Sequence, residues 1–224
     1  MISWRITHPL YRKHKWRLNS NVDDYIGTAD GTATSLTYSE NSFGKSAGLF
    51  DGANSKVVVS NNTNLQTLFD FGGSISVWVR ADSDGEGDAG RIISKSNQYV
   101  LEVANEATGA MDIQFTYNFS GNDGVWITTA TELDVATERH IVLTYDNRLT
   151  TNDPILYVDG KAVALTESTT PTNTPASNSN DFCIGNVSGS SATFDGLIWD
   201  VTPYTGLILT GDEVKQVWNM EKNS

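Results

Sequence analysis

The chain has 224 residues, of which 38% are hydrophobic and 19% charged, and this composition excludes a disordered chain. Its formal net charge of −12 argues against nucleic acid as a partner, and no apolar run approaches the length of a membrane span. With the single cysteine Cys183 no internal disulfide can form, so one hydrophobic core must carry the fold, and the length suits one all-β domain.

The first 17 residues hold five basic side chains (Arg5, Arg12, Lys13, Lys15 and Arg17) and no acid, against ten basic and 27 acidic residues in the rest. Two readings stand side by side. Residues 1–14 form a basic arm in which Trp4, Arg5, Arg12 and Lys13, with the neighbouring Lys15, dock on an acidic partner. Alternatively they form an edge strand, because Ile2, Trp4 and Ile6 alternate with Ser3, Arg5 and Thr7. Charges interrupt the start too often for a secretory leader, so synthesis in a cytoplasm without a signal peptide is expected. Residues 15–224 are read as one domain.

From residue 56 onward short β-rich runs recur: 56–59, 74–80, 91–94, 98–103, 111–119, 125–129, 140–145, 155–159, 161–164, 181–185 and 193–204. Gly, Asn or Asp punctuates most gaps, the rhythm of an antiparallel sandwich. Asp159-Gly160 marks a tight hairpin. Residues 81–90, acidic, and 169–180, rich in Thr, Asn, Ser and Pro, read as exposed loops. Cys183 reads as a buried strand residue. Near the end, Thr210 followed by Glu213 predicts a capped helix whose Val214, Val217 and Trp218 face the sandwich.

Phe43 to Gly52, Ile75 to Arg80, Arg91 to Lys95, His140 to Asp146, Leu156 to Lys161, Ile184-Gly185 and Phe194 to Asp200 together resemble the laminin G-like branch of the concanavalin A-like lectin and glucanase superfamily. The resemblance implies a jelly-roll sandwich of two curved antiparallel sheets, one concave, with one short C-terminal helix. It implies no single activity, because a fold does not dictate function.

In the glucanases of that superfamily three acids converge from one strand as Glu-x-Asp-x(1–2)-Glu. Here Glu132, Asp134 and Glu138 are spaced differently, and the matches place Ala136-Thr137-Glu138 in a turn with Glu138 at a solvent-facing corner. Six extended residues separate Glu132 from Glu138, roughly 20 Å at about 3.3 Å per residue, whereas a retaining pair needs about 5 Å. No catalytic residue is assigned, and the chain is expected not to be an enzyme. His8, His14 and His140 lack metal-ligand spacing, and His140 is expected at the sheet surface.

No cofactor is expected; the one candidate is a structural calcium, for which the resemblance implies Asp51, the Gly52 carbonyl and Asp200. Against it, Trp199 stands where relatives commonly carry Asp. The acidic run from Asp82 to Asp88 is similar to the start of an EF-hand but has Ile93 at the closing position, and reads as a solvated hairpin loop. The 111–119 run alternates, so Asp112, Gln114, Thr116 and Asn118 share a polar face that could meet a glycan, with Trp78 and Trp126 as stacking planes.

The expected use is a non-enzymatic structural and adhesive protein of a phage virion. It would decorate a capsid or form part of a tail on the virion surface, and contact a major capsid or tail protein or further copies of itself. The alternative is a carbohydrate-binding module recognising surface glycans; a glycosidase ranks third.

Overall fold

A computed structural model of the chain describes residues 11–223. In chain order the strands of the first half are β1 (Gly31–Thr34), β2 (Thr37–Glu40), β3 (Ser46–Asp51), β4 (Lys56–Val59), β5 (Gly73–Ala81), β6 (Arg91–Lys95), β7 (Tyr99–Ala107) and β8 (Ala110–Tyr117). Those of the second half are β9 (Gly124–Thr128), β10 (Leu133–Asp134), β11 (Glu138–Tyr145), β12 (Ile155–Val158), β13 (Lys161–Val163), β14 (Leu165–Thr169), β15 (Phe182–Ile184) and β16 (Asp195–Thr205). Among the described residues two α-helices accompany them, the single turn α1 (Thr63–Gln66) and α2 (Gly211–Lys222).

A nine-stranded sheet runs β1-β4-β15-β6-β7-β8-β9-β14 with β10 beside β8, and a seven-stranded sheet runs β13-β12-β11-β5-β16-β3-β2. Each ladder between these strands is antiparallel, and the whole is the two-layer jelly roll expected from the sequence. Alternation sets the core: Met111, Ile113, Phe115 and Tyr117 of β8 meet Ile75, Val77 and Val79 of β5 and Ile141, Leu143 and Tyr145 of β11. The Asp159-Gly160 turn has φ of 48° and 76°, the positive pair that a twist-matched two-residue hairpin demands.

The seven-stranded sheet is buried on both faces. Its outer face carries Val142, Tyr157 and Tyr204, and α2 lays Val214 and Val217 on them. Each such side chain contributes about 1.5–3 kcal/mol on burial. Thr210 caps α2 by accepting from the Glu213 N–H, while Glu213 accepts from the Thr210 N–H at 3.0 Å, the reciprocal box predicted.

The described part of the basic segment folds back. Arg12 bridges Tyr204 and Trp16 bridges Val201 along β16, with Trp16 fully buried against Phe182. The sandwich therefore takes in residues 11–14 of the segment read from the sequence as an arm or an edge strand. Lys15 cannot dock on a partner: it is buried and ion-paired at 2.8 Å with both Asp200 and Glu221. Trp4 and Arg5 lie outside the described residues. Asp24 organises the chain that follows, accepting from His14 Nδ1 and from the N–H groups of Lys15, Ile26, Gly27 and Ala29.

Both predicted loops are tied down. Residues 81–90 join β5 of one sheet to β6 of the other, so they are not a hairpin loop, and three of their four acids are occupied. Asp82 pairs with Arg80, Asp84 accepts from the Glu106 N–H, and Glu86 accepts from Thr193. The 169–180 loop is pinned by Lys95, fully buried, which donates to the carbonyls of Asn178 and Asn180. Burial, partly offset by Asp181, lowers the Lys95 pKa to about 8. Cys183 is buried in β15 as expected, its thiol pushed up to about 11 by that burial.

Candidate functional site

The outer face of the nine-stranded sheet holds a groove of about 400 Å³. It forms because three adjacent strands present polar residues in register: Gln114 and Thr116 of β8 lie opposite Glu102 and Val100 of β7, which lie opposite Arg91 and Ser94 of β6. Asn118, Ser96, Asn97 and Val187 complete the lining. Within it Arg91 Nε pairs with Glu102 at 2.9 Å, and Gln114 Nε2 donates to the same carboxylate at 2.6 Å. Burial pushes the Glu102 pKa up, and Arg91 and Gln114 only partly oppose it.

Of the residues assigned to a glycan from the sequence, Gln114 and Asn118 line this groove, and Asp112 continues their row beyond it, bonded by Asn105 at 3.1 Å. Trp78 does not join them. It belongs to β5 in the other sheet, buried on the outer face, stacked on Trp199 at 5.5 Å and beneath Phe43. Trp126 is a core residue, packed on Phe115 and Tyr145 with its indole N–H on Asp153. The β6 and β7 contributions were missed because cross-strand neighbours are set by sheet order; the alternation of β8 was the legible signal.

The acids of the 132–138 stretch do not converge. Asp134 in β10 pairs with Arg139 at 2.8 Å, while Glu138 opens β11 in the opposite sheet. Glu138 is not at a solvated corner either, since Ser42 donates to it from both N–H and Oγ. Glu132 is half-buried; burial raises its pKa and Arg139 opposes the rise. His140 is fully buried rather than at the surface, because α2 covers it, and its Nε2 lies 2.7 Å from Ser76 Oγ and 3.4 Å from Glu221.

The calcium candidates are held apart. Asp195, not Asp200, lies opposite Asp51. Burial raises the Asp51 pKa, but hydrogen bonds from the N–H groups of Asn54, Ser55 and Ala53 outweigh it and hold the group at about 2. Asp200, at a register shift in β16 with φ of 53°, turns to Lys15 instead. Among the described residues no group of three or more His, Cys, Asp or Glu side chains is placed to hold a metal.

Comparison with known proteins places this geometry in context. No curated protein sequence matches the chain. Domain 4 of AbnA, a GH43 extracellular arabinanase from Geobacillus stearothermophilus whose structure was determined in complex with arabinotriose, superposes with a TM-score of 0.66 at 18% identity, over 92% of this chain and 98% of that one. The binding domain of Paraclostridial Mosquitocidal Protein 1 gives 0.73 at 15%, over 96% of this chain and 53% of that one. The binding domain of botulinum neurotoxin serotype D gives 0.67 at 13%, over 95% and 52%. The chain thus spans about half the length of those toxin domains. The family profile described as concanavalin A-like lectin/glucanases superfamily matches residues 50–215, most of the sandwich, and the chain belongs to that superfamily.

Proposed function

We propose that this chain is a non-catalytic carbohydrate-binding module whose ligand lies in the groove across β6, β7 and β8. One observation carries the reading: a groove of about 400 Å³ lined by amides and hydroxyls with Glu102 as its single carboxylate. Gln114, Thr116, Asn118, Asn97 and Ser96 offer the mixed donors and acceptors that sugar hydroxyls require, and the volume suits a short oligosaccharide. Glycoside hydrolysis needs two carboxyl groups flanking one bond, and Glu102 is already engaged by Arg91 and Gln114. The arabinotriose bound to the similar arabinanase domain supports a saccharide as ligand.

The test is glycan-array and calorimetric binding with the intact chain. Asn118→Ala and Thr116→Ala are expected to weaken binding about 2- to 10-fold each, the worth of one hydrogen bond, without loss of fold. Full-strength binding by the double variant would reject the groove, and hydrolysis of any bound glycan would reject the non-catalytic reading.

A virion surface is the second reading, favoured by the charge asymmetry between residues 1–17 and the rest. Its test is purification of the native particle, from which absence of the protein would reject it.

A further inference from the structure

Beyond the groove, a second pocket of about 350 Å³ opens where residues 15–19 pass between β3, β16 and the end of α2, and we infer that it binds a sugar acid through its carboxylate. Three cations line it, Lys15, Arg17 and Lys45, in a protein whose overall charge is −12. Lys15 is spent on Asp200, the acid in the pocket wall, and on Glu221. Among the described residues neither Arg17 nor Lys45 forms a close ion pair, although the Arg17 charge reaches Asp200, and both are held in place.

The Arg17 guanidinium sits over the Tyr25 ring, its Cζ 3.5 Å from the centroid. Stacking uses the face of that plane and leaves the edge N–H donors free for the two oxygens of a carboxylate. Lys45 Nζ donates to the Glu221 and Lys222 carbonyls at 3.1 and 3.4 Å, which fixes the ammonium at the rim. Asn19 and Ser46 add neutral partners for hydroxyl groups, and Trp199 forms an apolar wall.

Volume separates a sugar acid from a bare anion. A water occupies about 30 Å³, and the pocket is several times larger than an inorganic oxyanion fills. A further hollow of about 250 Å³ shares Arg17 and Asn19 with it and extends past Asn21 to Tyr25. The guanidinium therefore stands where two compartments meet, and because Asp23 lines the second, the carboxylate belongs in the first.

The experiment titrates the intact chain with glucuronate, glucose and glutarate, followed by calorimetry and by the backbone amide shifts of Arg17, Lys45 and Ser46. Glucuronate should bind and move those amides, and glucose, which lacks the carboxylate, should not. Arg17→Gln should weaken glucuronate by at least about tenfold, the scale of a charge-assisted pair, with Arg17→Lys between it and the native chain. Lys45→Gln should weaken it as well, with the melting temperature recorded to exclude loss of α2. Asn118→Ala should leave it unchanged, which separates this pocket from the groove. Equal binding of glucose, equal binding of glutarate, or native affinity in Arg17→Gln would each overturn the inference.

Discussion

The two sheets present outer faces of opposite kinds. On β8 the outward residues are Asp112, Gln114 and Thr116, all partly exposed; on β5 and β11 they are Ser76, Trp78, His140 and Val142, all buried. The first face is left to solvent and hollowed into a groove. The second is sealed by α2 and by the returning segment at residues 11–17, which cover Val142, Tyr157, Trp78 and Tyr204. One face of this sandwich is thus left open with a polar groove and the other is closed by packing, and a residue type alone does not say on which face it lies. Trp78, the candidate sugar platform, is on the sealed side.

The contrast can be broken most forcefully on the sealed face. Trp78→Ala removes a buried indole between Trp199 and His140 and is expected to cost about 3–5 kcal/mol in urea unfolding. Lys15→Met leaves Asp200 and Glu221 buried without their cation; removal of one partner of a buried pair costs about 3–5 kcal/mol, and the same denaturation series measures it. Thr210→Ala deletes the α2 cap and should cost about 1 kcal/mol. Thr116→Ala on the open face should change stability by less than about 0.5 kcal/mol, although it lines the groove. A large loss there would mean that the groove is structural.

Acid sharpens the same comparison. Asp24 is buried, which alone would raise its pKa, but His14 and the N–H groups of Gly27, Lys15 and Ala29 outweigh burial and hold it well below the usual range. A carboxylate with its folded pKa depressed contributes stability above its unfolded value, about 3.9, and loses it as pH falls below that. The urea midpoint should therefore drop between pH 5 and pH 3, and Asp24→Asn, less stable at pH 5, should show a smaller drop. An equal drop in the variant would assign the acid sensitivity elsewhere.

What was legible depended on range. The β8 row was readable because alternation puts residues i and i+2 on one face wherever the strand lies. The Asp159-Gly160 hairpin and the Thr210–Glu213 cap were readable because their hydrogen bonds close within four residues. The solvated-hairpin reading of 82–88 failed for the converse reason: Asp82, Asp84 and Glu86 are held by Arg80, Glu106 and Thr193, the last more than 100 residues along the chain.

By itself, then, the sequence determined a two-layer antiparallel sandwich with a capped C-terminal helix, since strand period, turn chemistry and capping are local properties of consecutive residues. Only the tertiary structure decided that β6 lies beside β7 and forms the groove with β8. It likewise decided that Lys15 meets Asp200 and Glu221, and that His140 and Trp78 lie under α2. Those pairings join residues far apart in the chain, and burying the apolar outer face of the seven-stranded sheet is what brings them together.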